Sequence, residues 1–311
     1  MSESSADPAR AETGLADWAD ALRVRQWVKN LLVLLPLLTS HRLGEGALLI
    51  AGLTAFLAFC LAASAVYVLN DLVDLAADRA HPRKRSRPFA SGRLSPAAGR
   101  VAAPLLGSGA IGLSLAFLPL AFTALLALYL AFNVSYTLGL KHRLFVDVVL
   151  LAALYTLRVV AGGVAVDVPA SAWLLGFSLF LFLDLALVKR YADLRLLARD
   201  GHGGAPGRAY SAEDAPVLLG LGAASGYTAL VVFALYIQSD AVRPLYATPG
   251  LLWLAVPLLA YWIGRLWLLA HRGVVADDPL AFSLRDRASY AVGIAGLAVL
   301  AAATLLGSPG T

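Results

Sequence analysis

Cysteine and charge are both scarce in this sequence. Cys60 is the single cysteine among 311 residues, which excludes a disulfide framework and a metal site built from several thiolates. Only 14% of the residues are charged and 59% are hydrophobic, whereas soluble domains are about a quarter charged. The mean hydropathy is +0.74. This composition argues against an ordinary soluble domain and predicts a membrane protein.

The N-terminal segment lacks the apolar run of a signal peptide. Residues 1–16 are polar and acidic, and segments of this composition cannot bury enough apolar surface to fold alone. We therefore predict a disordered cytoplasmic tail over residues 1–20 and a single transmembrane domain over residues 21–311.

Apolar segments long enough to cross a bilayer recur along the rest of the chain, since a spanning helix needs about 17–25 residues. The predicted spans are 28–41, 47–69, 101–118, 120–139, 145–165, 172–190, 215–237, 250–270 and 288–307. The sequence therefore predicts an all-α membrane protein with about nine transmembrane helices.

Lysine and arginine lie almost entirely on one side of this topology. With the N-terminus inside, 22 of the 25 basic residues fall on the cytoplasmic side, Arg42 and Arg243 fall outside, and Arg158 lies within a span. The positive-inside rule then places the long loops in the cytoplasm. Because the net charge of +5 is concentrated at a membrane face, we expect membrane lipids and phosphorylated substrates as partners, and no nucleic acid.

Three aspartates follow the second predicted span. Asp71, Asp74 and Asp78 are spaced i, i+3 and i+7, which places them on one helix face, and Asn70 lies one turn before Asp74. Negative charges at the C-terminal end of a helix are disfavoured by the helix dipole, and the three carboxylates also repel one another. Mg²⁺ binds one or two carboxylates together with substrate phosphates, so we predict a magnesium site here. The alternative is a solvated acidic helix end.

A basic loop follows the aspartates directly. It contains Arg83, Lys84 and Arg87 within residues 79–88. Basic side chains next to a magnesium site are suited to a diphosphate, because they neutralise the phosphate oxygens that the metal leaves uncovered. The alternative is a patch for lipid headgroups.

A second polar group lies at the cytoplasmic end of the sixth predicted span, in the sequence Lys189-Arg190-Tyr191-Ala-Asp193. Lys189 and Asp193 are one turn apart and are predicted to pair. Asp200 repeats the spacing of seven found in the first group. Asp184, deeper in the span, is interpreted either as a relay or as a helix contact.

A third group surrounds the fifth predicted span. Lys141 precedes it, and Asp147, Tyr155 and Arg158 lie within it. A buried arginine in lipid needs a partner or an anionic ligand, and Asp147 is too far along the helix to pair with Arg158 directly. A substrate-binding role and a structural role both remain open. The loop 271–287 is interpreted as part of a lid or as a simple connection.

The pattern Asn70-Asp71-x-x-Asp74-x-x-x-Asp78 resembles the first aspartate motif of the UbiA superfamily of intramembrane prenyltransferases. The nine predicted spans and the cytoplasmic position of the motif loops are also similar, over about residues 20–307. Residues 25–30 and 81–92 resemble the branch that contains the decaprenyl-phosphate phosphoribosyltransferases. The resemblance implies a UbiA-type helical bundle with a cytoplasmic-side active site in the inner membrane of a bacterial cell.

The resemblance also implies an activity and a set of site residues. The activity is Mg²⁺-dependent transfer of a 5-phosphoribosyl group from phosphoribosyl diphosphate to a polyprenyl phosphate, because the second motif carries two cations where classical prenyltransferases have a second aspartate cluster. The catalytic residues would be Asp71, Asp74, Asp78, Lys189 and Asp193, with the first three holding the metal. The substrate-binding residues would be Gln26, Lys29, Asn70, Arg83, Lys84, Arg87, Lys141, Tyr155, Arg158, Arg190 and Tyr191.

Other functions and partners stay open at this point. A UbiA-type enzyme could instead move a polyprenyl group from its diphosphate to an aromatic or quinone-precursor acceptor. A transporter is a more remote alternative, because the charged residues gather at one membrane face rather than at the centre. Related bacterial members occur beside or fused to a phosphatase-like domain, so a phosphatase partner and a homo-oligomer are both left open.

Overall fold

The computed structural model describes residues 14–40, 42–81, 84–168, 170–199, 209–240, 242, 245–275 and 278–306. The regular elements of these ranges are all helices. The α-helices are α1 (Leu15–Ala21), α2 (Leu35–Thr39), α3 (Gly46–Val73), α4 (Leu75–Ala80), α5 (Pro96–Phe117), α6 (Leu120–Leu138), α7 (Val146–Ala165), α8 (Ala172–Arg199), α9 (Ala215–Gln238), α10 (Ala255–His271), α11 (Pro279–Ser283) and α12 (Arg287–Leu305). The 3-10 helices are Val24–Leu34, Lys84–Ser86, Leu140–His142, Ala212–Asp214 and Pro249–Leu254.

Eight helices of the described residues are long and apolar enough to cross a membrane. They are Gly46–Val73, Pro96–Phe117, Leu120–Leu138, Val146–Ala165, Ala172–Leu196, Ala212–Gln238, Pro249–His271 and Arg287–Leu305. They coincide with eight of the nine predicted spans. Large apolar side chains such as Ile50, Leu105 and Leu297 are exposed on their outer faces, as a lipid-facing surface requires. The predicted all-α membrane fold is confirmed.

The first predicted span, 28–41, has a different structure. Its chain forms the 3-10 helix Val24–Leu34, named here the N-terminal 3-10 helix, which runs directly into α2. A ninth span is therefore not confirmed. Pro36 lies at the start of α2, where a proline fits, so the apolar stretch is divided into two helical pieces rather than forming one regular α-helix.

The last part of the disordered tail predicted for residues 1–20 is helical: α1 begins at Leu15. Trp18 of α1 packs edge-on against Phe89, with ring centroids 6.5 Å apart, and this apolar contact orders the chain there. Residues 1–13 lie outside the described part, so disorder over them stays a prediction.

Helix α7 lies between the two halves of the apolar core. Its residues Leu154 and Ala161 pack with the N-terminal 3-10 helix, α3 and α6, while Val148 and Val159 pack with α8, α9 and α10. At Gly162 a side chain would overlap the backbone carbonyl of Val33. Glycine therefore lets the N-terminal 3-10 helix approach α7 backbone to backbone, which fixes the position of the polar residues on that helix.

Candidate active site

Two of the predicted aspartates share a single guanidinium. Asp71 and Asp78 are buried, and Nη1 of Arg87 donates hydrogen bonds to Asp71 Oδ1 at 3.1 Å and to Asp78 Oδ2 at 2.6 Å. Arg23 adds a second cation, with its Nη2 2.6 Å from Asp71 Oδ1. Lys84 is half-exposed and its Nζ lies 4.0 Å from Asp78 Oδ1. The basic loop and the aspartates therefore form one site.

Asp74 is oriented differently from the other two aspartates. Helix α3 ends at Val73 and α4 begins at Leu75, so Asp74 stands at the junction with non-helical backbone angles. Its carboxylate accepts hydrogen bonds from Lys141 Nζ at 2.8 and 3.0 Å. The predicted helix face is therefore divided at its middle member: Asp71 and Asp78 still meet at Arg87, while Asp74 leaves the helical conformation and turns to Lys141.

The residues at this site fit a magnesium ion. No three acidic, histidine or cysteine side chains of the described chain converge into a preformed metal cage. Mg²⁺ does not require one, because it keeps several waters and takes one or two carboxylates plus substrate oxygens. Asp71 and Asp78 already place one oxygen each around the same positive nitrogen of Arg87, which is the arrangement a bridging cation needs.

A second polar group lies around Lys29, which is almost fully buried. Its Nζ is 2.7 Å from Asp278 Oδ2 and 3.5 Å from Gln26 Oε1. Lys189 approaches the same carboxylate oxygen at 3.9 Å. Burial by itself would raise the pKa of Asp278, but the charges of Lys29 and Lys189 outweigh it and hold that pKa below its usual value. The structure thus brings Lys29 and Lys189, from distant parts of the chain, to one carboxylate.

The N-terminal 3-10 helix connects these two groups. Residues three apart are eclipsed in a 3-10 helix, so Gln26 and Lys29 lie in line. Arg23 immediately precedes the helix and has left-handed backbone angles. Arg23 contacts Asp71 at one end of this segment, and Lys29 contacts Asp278 at the other. With a rise of about 2 Å per residue, the two ends are about 12 Å apart along the helix.

Arg158 is buried and bonded to neutral groups. Its Nε donates to Asn30 Oδ1 at 3.0 Å, and its Nη2 donates to the Tyr129 hydroxyl at 2.8 Å. The guanidinium carbon lies 4.8 Å from the Tyr129 ring centroid and 5.0 Å from that of Tyr155. Tyr155 in turn stacks on Phe182 with ring centroids 5.0 Å apart. The predicted site residues Tyr155 and Arg158 are therefore joined to each other and to the N-terminal 3-10 helix.

Arg190 is also buried, and it is held by carboxylates. Its Nη2 lies 2.8 Å from Asp147 Oδ2, and its Nη1 donates to Asp193 Oδ2 at 3.2 Å. Tyr210 donates to the other oxygen of Asp147 at 2.6 Å. The predicted pairing of Lys189 with Asp193 is not the one observed, because Lys189 projects toward Asp278 while Arg190, one position later, takes Asp193.

Two further predicted residues have identified neighbours. The Tyr191 hydroxyl is 2.7 Å from Nδ1 of His271 at the end of α10. Asp184 is fully buried and accepts a hydrogen bond from the Trp267 indole at 2.7 Å, which favours its interpretation as a helix contact. Asn70 is partly buried in the last turn of α3. Arg83 and Asp200 lie outside the described residues.

Sequence reasoning missed three residues of the site. In the sequence, Arg23 is one of the basic residues near the N-terminus, Asn30 ends the segment 25–30, and Asp278 lies in the loop 271–287. Asp278 carries a local signal, since Asp followed by Pro279 predicts a helix start, and its side chain indeed caps α11. Its contact with Lys29 spans 249 positions, and no local pattern reveals such a pair.

These contacts join the first aspartate motif, the N-terminal 3-10 helix and the end of α8 into one polar, cation-rich region of a helical bundle. The family model described as the UbiA prenyltransferase family matches residues 33–290. The chain belongs to this family and is a transferase that crosses the membrane several times.

Several proteins are similar over most of the chain. Nodulation protein NoeC of Azorhizobium caulinodans is 37% identical over 290 residues, which are 91% of each chain. Decaprenyl-phosphate phosphoribosyltransferase of Mycolicibacterium smegmatis is 33% identical over 291 residues, again 91% of each. The uncharacterized protein y4nM of Sinorhizobium fredii is 37% identical over 278 residues, which are 89% of this chain and 54% of that longer protein.

A solved structure shares the fold. The UbiA homolog from Archaeoglobus fulgidus bound to GPP and Mg²⁺ superposes with a TM-score of 0.67 over 92% of this chain and 99% of that one, at 14% identity. At this identity the likeness establishes the helical arrangement, and the chemistry has to be argued from the residues of this chain.

Proposed function

We propose that this protein transfers a 5-phosphoribosyl group from phosphoribosyl diphosphate to a polyprenyl phosphate, with Mg²⁺ as cofactor. The observation that carries this proposal is the cationic second half of the site. Lys189 lies beside Lys29, and Asp193 is engaged by Arg190. Such a site is suited to two phosphorylated substrates, and similarity to the decaprenyl-phosphate phosphoribosyltransferases supports the same choice.

The residues around the first aspartate motif would bind the diphosphate of the donor. Asp71 and Asp78, with Asp74 beside them, would hold Mg²⁺, which would supply positive charge to the leaving diphosphate. Arg87, which now pairs with two of these carboxylates, is positioned to turn to the phosphate oxygens. Lys84 and Lys141 would add charge at the rim, and Asn70 and Gln26 would supply neutral hydrogen-bonding groups. Arg83, outside the described residues, stays a predicted phosphate-binding residue.

In the reaction, the bond between sugar C1 and the diphosphate oxygen breaks while an oxygen of the lipid phosphate bonds to C1. The diphosphate leaves with the bonding electron pair. No general base is required, because the attacking phosphate oxygen is already anionic. Fixed cations at the place where negative charge develops lower the barrier. Arg87 and Lys84 are suited to this role beside the diphosphate, while Lys189 would bind a second phosphate group.

Arg158, Arg190, Tyr155 and Tyr191 would act by positioning rather than by contact with the reacting atoms. Arg158 is already fully engaged by Asn30, Tyr129 and its own helix. Arg190, with Asp193, ties α8 to α7 through Asp147. These contacts would hold Lys29 and Lys189 in place on two separate elements.

The proposal includes a location and partners. The site end of the bundle would face the cytoplasm in the bacterial inner membrane, because most basic residues lie there. The polyprenyl tail would lie among membrane lipids, with only its phosphate in the site. The resemblance also suggests a phosphatase that acts on the phosphorylated product, and the oligomeric state stays open.

The test is a transfer assay with purified protein in detergent. Labelled phosphoribosyl diphosphate and a polyprenyl phosphate should give labelled lipid, and EDTA should remove the activity. Asp78→Asn should reduce turnover by more than about a hundredfold while the protein stays folded. Glu45→Gln is a matched control, since Glu45 pairs with Arg42 before α3, far from the site.

The same preparation decides between this reaction and prenyl transfer. It would be offered a polyprenyl diphosphate with a phenolic acid in a parallel assay. Product in that assay alone would replace phosphoribosyl transfer by prenyl transfer, and full activity of Asp78→Asn would refute the metal assignment.

A further inference from the structure

The contact between Lys29, Lys189 and Asp278 is unusual for a site that binds anions. Two lysines point at one carboxylate oxygen, at 2.7 and 3.9 Å. The carboxylate itself is fixed, because its other oxygen accepts hydrogen bonds from the backbone of Leu280 at 3.1 Å and Ala281 at 3.4 Å. Asp278 Oδ2 is therefore fixed at the point where the ammonium groups of Lys29 and Lys189 converge.

A carboxylate oxygen and a phosphate oxygen make the same charge-assisted hydrogen bonds to lysine. Lys29 is nearly buried and Lys189 is partly exposed. Lys29 therefore lies at the inner end of the space occupied by the Asp278 carboxylate, and Lys189 lies at its solvent-exposed end. Two lysines balance the two negative charges of a phosphate monoester. They cannot balance a monoester and Asp278 together.

We infer that Lys29 and Lys189 form a binding site for a phosphate monoester, and that Asp278 occupies this site until the ligand displaces it. Displacement would release the hold of Asp278 on Lys29. The short helix α11, which Asp278 caps, would then move away from α8.

The position of this monoester site agrees with the substrates of the proposed function, on which its biological role rests. It lies about 12 Å along the N-terminal 3-10 helix from the contact of Arg23 with Asp71. A prenyl diphosphate has charge at one end only. Phosphoribosyl diphosphate carries a diphosphate on C1 and a monoester on C5, and the lipid acceptor carries a monoester too.

The inference is tested by equilibrium binding without turnover. Ribose 5-phosphate and farnesyl phosphate would be titrated separately into the detergent-solubilised protein by calorimetry. Binding of ribose 5-phosphate would identify the site with the donor, and binding of farnesyl phosphate alone would identify it with the acceptor. In either case Lys189→Met should weaken binding at least about tenfold.

Asp278→Asn gives the opposite and more specific result. An asparagine can still cap α11, but it no longer competes as an anion. The affinity for the monoester should therefore rise at least about fivefold, because the fraction of binding-competent protein increases. Asp286→Asn is the matched control, since Asp286 caps the next helix and pairs with Arg265, and its affinity should equal that of the wild type.

The results separate this inference from the proposed function. Weaker binding in Asp278→Asn, or binding that is unaffected by Lys189→Met, would overturn the inference even if phosphoribosyl transfer occurs. Tighter binding in Asp278→Asn would sustain it even if the transfer assay gives no product. If neither monoester binds the wild type or Asp278→Asn, the inference is wrong.

Discussion

At the scale of single residues, Asp71, Asp74 and Asp78 are all paired with basic side chains from outside their own helices. Arg87 comes from the basic loop, Arg23 precedes the N-terminal 3-10 helix and Lys141 precedes α7. The negative charge that the sequence concentrates over eight residues is thus neutralised by three separate segments. In the proposed function, substrate and metal would have to replace these partners, so binding and local rearrangement would be coupled.

Asp286 allows a prediction about pH. Hydrogen bonds from Arg265, at 2.6 and 2.9 Å, and from Ser289 hold the pKa of Asp286 at about 2, below its ordinary value of 3.8. A carboxyl whose pKa is lowered on folding stabilises the fold above its unfolded pKa and loses this effect as the pH falls through the folded value. The unfolding temperature of the wild type should exceed that of Asp286→Asn at pH 6.

The difference in unfolding temperature between the wild type and Asp286→Asn should shrink as the pH falls from about 4 toward 2. Thermal unfolding in detergent, followed by tryptophan fluorescence over this pH range, measures it. A difference that is independent of pH would mean that the ion pair between α10 and the start of α12 contributes no stability.

At the scale of elements, the approach of the N-terminal 3-10 helix to α7 determines where Arg23 and Lys29 lie. The close contact depends on Gly162, where a methyl group would overlap the Val33 carbonyl. Gly162→Ala should therefore destabilise the protein by about 3 kcal/mol or more, and the folded fraction should show reduced transfer activity.

Gly220→Ala is the matched control for this change. Gly220 lies in α9, and a Cβ there would have no neighbour within 4 Å. Since alanine has the higher helix propensity, this variant should be as stable as the wild type or slightly more stable. Denaturation in detergent and the transfer assay measure both variants. Equal stability of the two variants would show that the N-terminal 3-10 helix can move away from α7 at Gly162 with little loss of stability.

At the scale of the whole molecule, the predicted orientation can be tested by labelling. Helix α3 has 28 residues and is about 42 Å long, so the loop before it and the basic loop after it lie at opposite ends of the bundle. We expect a membrane-impermeant maleimide to label Gly44→Cys in intact cells, and to label Ser86→Cys only after permeabilisation.

Both positions of this experiment are exposed. Cys60 is buried and can remain in both proteins, where the unmodified chain serves as the background. The reverse labelling pattern would place the site on the outer face of the membrane. It would contradict the predicted orientation, in which the site draws its phosphorylated donor from the cytoplasm.

The sequence by itself determined the membrane class, eight of the spans and the first aspartate motif. Long apolar runs have few alternatives in a bilayer, because the backbone must satisfy its hydrogen bonds within each helix. The spacing of Asp71 and Asp78 over two turns was sufficient to bring them to one site. Family membership also followed from such local patterns.

Only the tertiary structure decided which charges meet. The pairing of Asp74 with Lys141, the pairing of Arg190 with Asp147 and the convergence of Lys29 and Lys189 on Asp278 all depend on how distant helices pack. Side chains far apart in sequence meet because α7 and Gly162 fix the distances between their helices. Local periodicity contains no information about those distances, so the monoester site became visible only in the folded chain.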